Sequence, residues 1–277
     1  MNNQPLEAHP EHVALAGENA LLREELAHLL TEEHDLLHIA KPNLLALYQQ
    51  KIGVWEVRAL QAQIAAARAR RRLEMAQAAA NSGKVPDWKE IDGHLELEFL
   101  AWQQKLKEAA EQLAAAEHRL KHLLSPTDDR ELKKLYYALV KKLHPDVNPD
   151  LGEDQRRLWL RVQAAYESSD TDELRALALL ADQSGPVAPA PATPDVLRKD
   201  RDTLQRQITE MLRRIEHIES QPPLPLRKQL ADEAWVAARR QEIEARTAQF
   251  EAHCAALDTA LQALLKSPDH GKKFGPN

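Results

Sequence analysis

The chain has 277 residues, a net charge of −6 and a hydrophobic content of 43%, so its length suggests about two domains with ordinary cores. Aromatic residues make up only 4%, glycine occurs eight times, and Ala, Leu, Glu, Gln and Arg dominate, a composition typical of helices. The negative charge argues against general nucleic-acid binding. No apolar run approaches the roughly 18 residues of a membrane span, and the start of the chain lacks a secretory leader. We therefore expect a cytoplasmic protein with no membrane contact.

The first part of the sequence predicts three long helices. The first covers about 11–39 and is expected to end at Pro42, the second covers about 42–80, and the third covers about 87–124. The third helix has apolar residues alternately four and three apart, the spacing of a coiled-coil seam. These are Leu95, Phe99, Trp102, Leu106, Ala109, Leu113, Ala116, Leu120 and Leu123. Because the turn at 81–86 is short, we expect the second and third helices to form an antiparallel hairpin about 55 Å long.

A basic amphipathic helix follows in residues 131–143. Its spacing places apolar side chains on one face and lysines on the other. The apolar face contains Leu132, Leu135, Tyr136, Leu139, Val140 and Leu143, and the basic face contains Lys133, Lys134, Lys141 and Lys142. We expect the apolar face to pack and the basic face to be free to bind an acidic partner.

The basic helix should end at His144, because Pro145 has no N–H to donate and favours extended backbone at the residue before it. His144, Pro145 and Asp146 are therefore predicted to form an exposed loop corner. A second helix is expected to begin near Glu153 and to pack antiparallel against the first. An ordinary interhelical turn in a bundle would also accommodate Pro and Asp here.

These residues resemble the J domain of DnaJ-type co-chaperones, whose signature is His-Pro-Asp between a basic helix II and a helix III that ends in Ala-Tyr-Glu. The resemblance covers about residues 126–182. The matching residues are His144, Pro145, Asp146, Asn148, Lys133, Lys142, Trp159 and Ala165-Tyr166-Glu167. The core that it implies consists of Leu132, Tyr136, Leu139, Leu143, Trp159, Val162 and Tyr166.

The sequence also departs from the J-domain pattern. No helix I of the Tyr-x-x-Leu-Gly type precedes the basic helix, so the long helix ending near Leu124 is expected to supply the missing packing surface. The basic pair usual in the middle of helix II is replaced by Tyr137 and Ala138, and the basic residue usual after the Asp is Val147. The basic surface is therefore thinner than in a typical member.

The region at 126–182 is predicted to end in one more helix, with Asp170 or Thr171 as its N-cap. A Pro/Ala linker is predicted to follow at 183–194. Two heptad seams separated by a proline-rich turn predict an antiparallel hairpin over 195–265, and the tail at 266–277 is predicted to be disordered. The seams are Leu197, Leu204, Ile208, Met211, Ile215 and Ile218, and then Val236, Ile243, Phe250, Cys254, Leu257, Leu261 and Leu264.

The predicted fold is all-α, with a J-domain helical hairpin flanked by long antiparallel coiled-coil helices. The domains are predicted as a helical coiled-coil region at 1–125, a J domain at 126–182, the linker, the C-terminal hairpin and the tail.

Two histidine pairs are the sequence's only candidates for a metal site. His34 and His38, and likewise His118 and His122, lie four residues apart on predicted helices and could both face one ion. Neither pair has a third ligand nearby in sequence, so solvated or partly packed histidines are favoured and no metal site is predicted.

No other motif predicts chemistry. A basic run is expected to form a salt-bridged helix face rather than a phosphate site, and Cys254 is expected to be a buried small hydrophobe. The basic run consists of Arg68, Arg70, Arg71 and Arg72. Without a phosphate loop, a nucleophile elbow or clustered carboxylates, we expect no enzymatic activity and no cofactor.

The resemblance implies a co-chaperone that docks on a DnaK-type chaperone ATPase and stimulates its ATP hydrolysis. The basic face would contact an acidic surface, and Asp146 would engage an arginine of the partner. The implied partner-binding residues are Lys133, Lys134, Lys141, Lys142, His144, Pro145, Asp146 and Asn148. The coiled coils would recruit an unidentified client or complex, and self-association is left open. The alternative is a structural or scaffolding coiled-coil protein whose J-like hairpin binds no ATPase.

Overall fold

The computed structural model describes residues 10–183 and 193–266. All regular elements in these residues are helical, so the fold is all-α, as predicted. None of the described helices is both long enough and apolar enough to cross a membrane. The predicted linker lies mostly, and the predicted tail almost entirely, outside the described residues.

The N-terminal third is helical without interruption from residue 10 to residue 81, so the expected end at Pro42 is wrong. It consists of α1 (Pro10–Asp35), α2 (Lys41–Tyr48) and α3 (Val54–Asn81), joined by π-helical segments at Leu36–Ala40 and Gln49–Gly53. In the first π segment, the Lys41 N–H bonds to the carbonyl five residues back. This wider turn directly precedes Pro42, whose ring would clash with a carbonyl in a regular α-helix.

The remaining helices follow the predicted order with one break. They are α4 (Trp88–Glu98), α5 (Leu100–Lys121), α6 (Pro126–Leu143), α7 (Glu153–Glu167), α8 (Thr171–Gln183), α9 (Pro194–Ser220), α10 (Arg227–Ala231) and α11 (Glu233–Lys266). The break falls at Phe99, which divides the predicted 87–124 helix into α4 and α5.

Side-chain caps fix several helix starts. The Asp87 carboxylate accepts two backbone N–H groups of the first turn of α4, and the Ser125 hydroxyl accepts one from α6, where Pro126 stands at the first position. Asp170 Oδ1 accepts the Glu173 N–H at 2.9 Å, so the predicted cap of α8 is confirmed. Such caps satisfy backbone donors that have no partner within the helix.

Packing divides the described chain into two compact units. The first contains residues 10–44, 122–183 and 193–225, and the second contains residues 45–121 and 226–266. The predicted C-terminal hairpin is therefore wrong, because α9 belongs to the first unit and α11 to the second. The predicted N-terminal coiled-coil domain is likewise divided, because α1 belongs with the region that resembles a J domain.

In the first unit, α9 packs along α1, while α6, α7 and α8 pack against one another and α6 also contacts α1. The Asn19 side chain of α1 donates to the Leu197 carbonyl at 2.9 Å in a buried position. All six predicted seam residues of α9 are buried, namely Leu197, Leu204, Ile208, Met211, Ile215 and Ile218. The seam is confirmed, but its partner is α1.

In the second unit, α11 packs along α3, and α4 and α5 also contact α3. Val236 and Ile243 of the predicted α11 seam are buried, and its other members are half-buried. Of the nine seam residues predicted for 87–124, Leu95, Phe99 and Ala116 are buried, five are half-buried, and Leu123, which lies beyond α5, is exposed. The predicted pairing of this segment with the preceding helix is confirmed, but the segment is divided at Phe99 and is not one continuous helix.

The packing of α9 predicts a difference between two positions four residues apart. Ile208 is buried, and Ile208→Asp would place an unpaired charge against α1, so it should lower the free energy of unfolding by about 3 kcal/mol or more. Leu212 is 50% exposed, and Leu212→Asp should lower it by less than about 1 kcal/mol. Chemical denaturation followed by circular dichroism measures both. Equal effects would mean that α9 does not bury this face.

Candidate partner-binding site

The loop after α6 is organised around His144. His144 has extended backbone, and its N–H donates to the Val140 carbonyl at 3.0 Å, which closes the last turn of the helix. Its ring Nδ1 accepts the Asp146 N–H at 3.0 Å. Pro145 between them has no N–H, so the Asp146 N–H is the first backbone donor after the end of the helix, and the His144 ring accepts it.

The residues after the corner fold back on the helix end. The N–H groups of Val147 and Asn148 both donate to the His144 carbonyl, at 3.1 and 2.9 Å. The Asn148 side chain donates to the Lys141 carbonyl at 2.8 Å, which satisfies a carbonyl that the end of α6 leaves without a partner. Val147, which departs from the family pattern, is buried and so continues the core instead of the basic surface.

The corner is less exposed than expected. The His144 ring packs edge-on against Trp159, with ring centroids 4.9 Å apart. Burial lowers the pKa of His144, and the Asp146 carboxylate opposes that shift. Pro145 is half-buried, and Asp146 is exposed. The expectation of an exposed tripeptide is therefore correct for Asp146 alone.

An aromatic core supports this loop. The Tyr136 ring lies 5.7 Å from Trp159 and 4.1 Å from Tyr166, measured between centroids. All seven residues of the implied core are buried, namely Leu132, Tyr136, Leu139, Leu143, Trp159, Val162 and Tyr166. The pair of helices α6 and α7 thus holds the loop at its end.

The helix that completes this core is α1. The expectation that the helix ending near Leu124 would do so is wrong, because α5 belongs to the second unit. From α1, the His34 ring stacks on Tyr136 at 5.0 Å, and Asp35 accepts the Tyr166 O–H at 2.9 Å. The sequence predicts a helix over about 11–39 but gives no indication of the helix on which it packs.

α1 also covers part of the predicted basic face. Lys133 Nζ lies 3.2 Å from Asp35 Oδ2 and 3.1 Å from Asp129 Oδ2. Lys141 Nζ lies 2.5 Å from Glu24 Oε2. The prediction that this face is free is therefore wrong for these lysines.

The other two lysines differ from each other. Lys142 is paired with Asp182 of α8. Lys134 is exposed and has no ion pair within the described part of the chain. Only one of the four predicted lysines is thus available without the exchange of an existing pair.

Three side chains at this contact have shifted pKa values. Burial lowers the pKa of Lys133, but Asp35 and Asp129 outweigh it and raise that pKa above its ordinary value. Hydrogen bonds from Lys141 and Tyr137 lower the pKa of Glu24. Desolvation and the bond to Glu24 raise the pKa of Tyr137 to about 12. Tyr137, in the place of a usual basic residue, thus helps to hold α1.

The histidine pairs differ in their surroundings. The rings of His34 and His38 lie 4.2 Å apart, and Glu167, distant in sequence, lies close to both. Burial, then His38 and His144, lower the pKa of His34 to about 4, so its ring is neutral at pH 7. His118 lies on α5, but His122 falls just beyond its end, so the expectation of one shared helix is wrong for that pair.

The remaining candidates are ordinary surface features. Three of the four arginines in the basic run are paired, with Glu74, Glu98 and Asp92, in agreement with the predicted salt-bridged face. Cys254 is half-buried, which is less than expected. Burial, followed by the charge of Asp258, raises the pKa of its thiol.

The loop geometry predicts unequal effects of two substitutions. His144→Ala removes the contact with Trp159 and the acceptor for the Asp146 N–H, so it should destabilise by about 1–2 kcal/mol. Asp146→Asn should change stability by less than about 0.5 kcal/mol, because the carboxylate is exposed. Urea unfolding measures both, and an unchanged midpoint for His144→Ala would show that the loop does not depend on this ring.

No protein-family model, curated protein or solved structure matches this chain.

Proposed function

We propose that this protein is a co-chaperone of the J-domain type, which docks on a DnaK-type chaperone ATPase and stimulates its ATP hydrolysis. The observation that carries the proposal is the loop of His144, Pro145 and Asp146, which is held at the end of two helices on an aromatic core and presents the Asp146 carboxylate to solvent. A scaffold has no need of such a fixed, exposed acid.

The proposed activity requires no chemistry from this chain. A binding protein accelerates its partner's reaction when it binds the reactive conformation more tightly than the resting one. The loop suits this role because its backbone is fixed by hydrogen bonds from Val147 and Asn148. Asp146 would contact an arginine of the ATPase, and Lys134 would be the first basic residue to meet its acidic surface.

A partner that binds Lys133 and Lys141 must first replace the ion pairs that these lysines form with α1. Glu24 and Asp35 occupy Lys141 and Lys133, so an acidic partner would compete with α1 for these two lysines. The Lys141–Glu24 pair is exposed, and such pairs contribute only about 0.2–1 kcal/mol, which a partner with several acidic residues can match. Asp35 is largely buried, so its pair with Lys133 is harder to replace. We infer that α1 lowers the activity of the free protein.

The scaffold alternative is favoured by the same contact. If α1 stays on α6, the aromatic core and the paired lysines form a packing unit, and α9 and α11 extend the units as helical pairs. The protein would then bind through helix surfaces and need no ATPase. The two functions differ in whether the activity of the protein depends on the Asp146 carboxylate.

The decisive experiment is single-turnover ATP hydrolysis by each DnaK-type ATPase of the same cell, with and without the full chain. Stimulation by the wild type that Asp146→Asn abolishes, with its unfolding midpoint unchanged, would support the co-chaperone. Asp150→Asn, an exposed acid in the same loop, is the matched control and should retain stimulation. Equal stimulation by wild type and Asp146→Asn, or none by the wild type with any of these ATPases, would overturn the proposal.

Competition by α1 gives a second prediction. Glu24→Arg repels Lys141 and removes the acceptor of Tyr137, so it should increase stimulation at low salt by up to about fivefold, the equivalent of one exposed ion pair. Glu25→Arg, the exposed neighbouring residue, makes the same charge change and is expected to have a smaller effect. If the two variants stimulate equally, α1 does not compete at this face.

A further inference from the structure

Three side chains from separate parts of the first unit meet beside the aromatic core. His34 lies in the last turn of α1, His38 lies in the π segment that follows, and Glu167 is the last residue of α7. His34 Nε2 is 3.9 Å and His38 Nδ1 is 3.7 Å from Glu167 Oε1. All three ligand atoms lie within 4.8 Å of one another, and in the part of the chain that the structure describes this is the one such group of three.

The environment of His34 points to a ligand. Its Nε2 is buried and has no hydrogen-bond partner, and the 3.9 Å to Glu167 is too long for a hydrogen bond. Buried polar atoms normally have a partner, and one without needs an explanation. The ring is held in place by stacking on Tyr136, so its nitrogen is directed rather than free to turn away.

The environment of Glu167 is also unusual. A carboxylate at the last residue of a helix faces the negative end of the helix dipole, which favours a cation there. Asp35, beside His34, is not available as a further ligand, because it accepts the Tyr166 O–H and faces Lys133. His34, His38 and Glu167 are therefore the three candidate ligands at this position.

We propose that His34, His38 and Glu167 bind a divalent transition-metal ion of the zinc class. Two imidazoles and one carboxylate are ligands that Zn²⁺ accepts, with water in the fourth position. At bond lengths of about 2.0–2.1 Å, the ligand atoms of a tetrahedral site lie roughly 3.3–3.4 Å apart. The present separations from Glu167 need to close by about half an ångström, which small side-chain rotations provide.

The site would join α1 to the end of α7. Its ligands are separate from Asp146 and from the lysines of α6, so the proposal stands independently of the proposed function. The π segment matters here, because π turns are frequently found at functional sites and this one carries His38.

Titration of the untagged full chain with ZnCl₂ by calorimetry tests the site, with Co²⁺ absorption to report tetrahedral coordination. We expect one ion for each chain at this site and an increase of the melting temperature on binding. Glu167→Gln, at a side chain that is 46% exposed, should weaken binding at least tenfold and remove the visible Co²⁺ band while the metal-free melting temperature stays nearly unchanged.

Two further variants make the result specific. His38→Gln should weaken binding as Glu167→Gln does, whereas the double variant His118→Gln/His122→Gln, at the other pair with the same spacing, should bind as the wild type does. Absence of binding at 100 μM Zn²⁺, or equal weakening by the double variant, would overturn the proposal. His34 is left intact in all of these variants, because its ring is packed on Tyr136.

Discussion

The contact of α1 with α6 and α7 determines which side chains of the first unit remain exposed to solvent. It has an aromatic part, in which His34 stacks on Tyr136 of α6 and Asp35 accepts the O–H of Tyr166, which lies on α7. It also has a charged part, in which Glu24 meets Lys141. A hydrogen bond to a charged acceptor contributes about 1.5–3 kcal/mol, more than an exposed ion pair at about 0.2–1 kcal/mol. The aromatic part therefore holds α1 in place, and the charged part decides which lysines it covers.

The helix faces were predictable, but their partners were not. The heptad spacing of α9 correctly identifies all six buried residues, because a periodic apolar face must be buried somewhere. The partner was inferred from the short connection to α11, and that inference fails because α9 packs on α1. Heptad spacing identifies the buried face of each helix separately. Which helices pair depends on residues far apart in sequence, such as Asn19 and Leu197, which are 178 residues apart.

The same limit applies to the candidate site. The end of α6, the start of α7 and the cap by Asp170 follow from local rules on Pro, helix spacing and N-caps, and they were predicted correctly. The covering of Lys133 and Lys141 depends on Asp35 and Glu24, which are about a hundred residues away. Glu167 escapes notice as a neighbour of His34 for the same reason, because helix spacing relates only residues on one helix.

The two parts of the α1 contact also explain what an acidic partner could gain on α6. Replacing Glu24 or Asp35 by a partner's carboxylate leaves the number of ion pairs unchanged, so this exchange contributes little net affinity. Salt would screen the old and new pairs alike. A net gain must come from charged groups that have no ion pair within the described part of the chain, and among the predicted partner-binding residues these are Lys134 and Asp146. For the proposed function, the exposed acid would therefore contribute more than the basic face to the choice of partner.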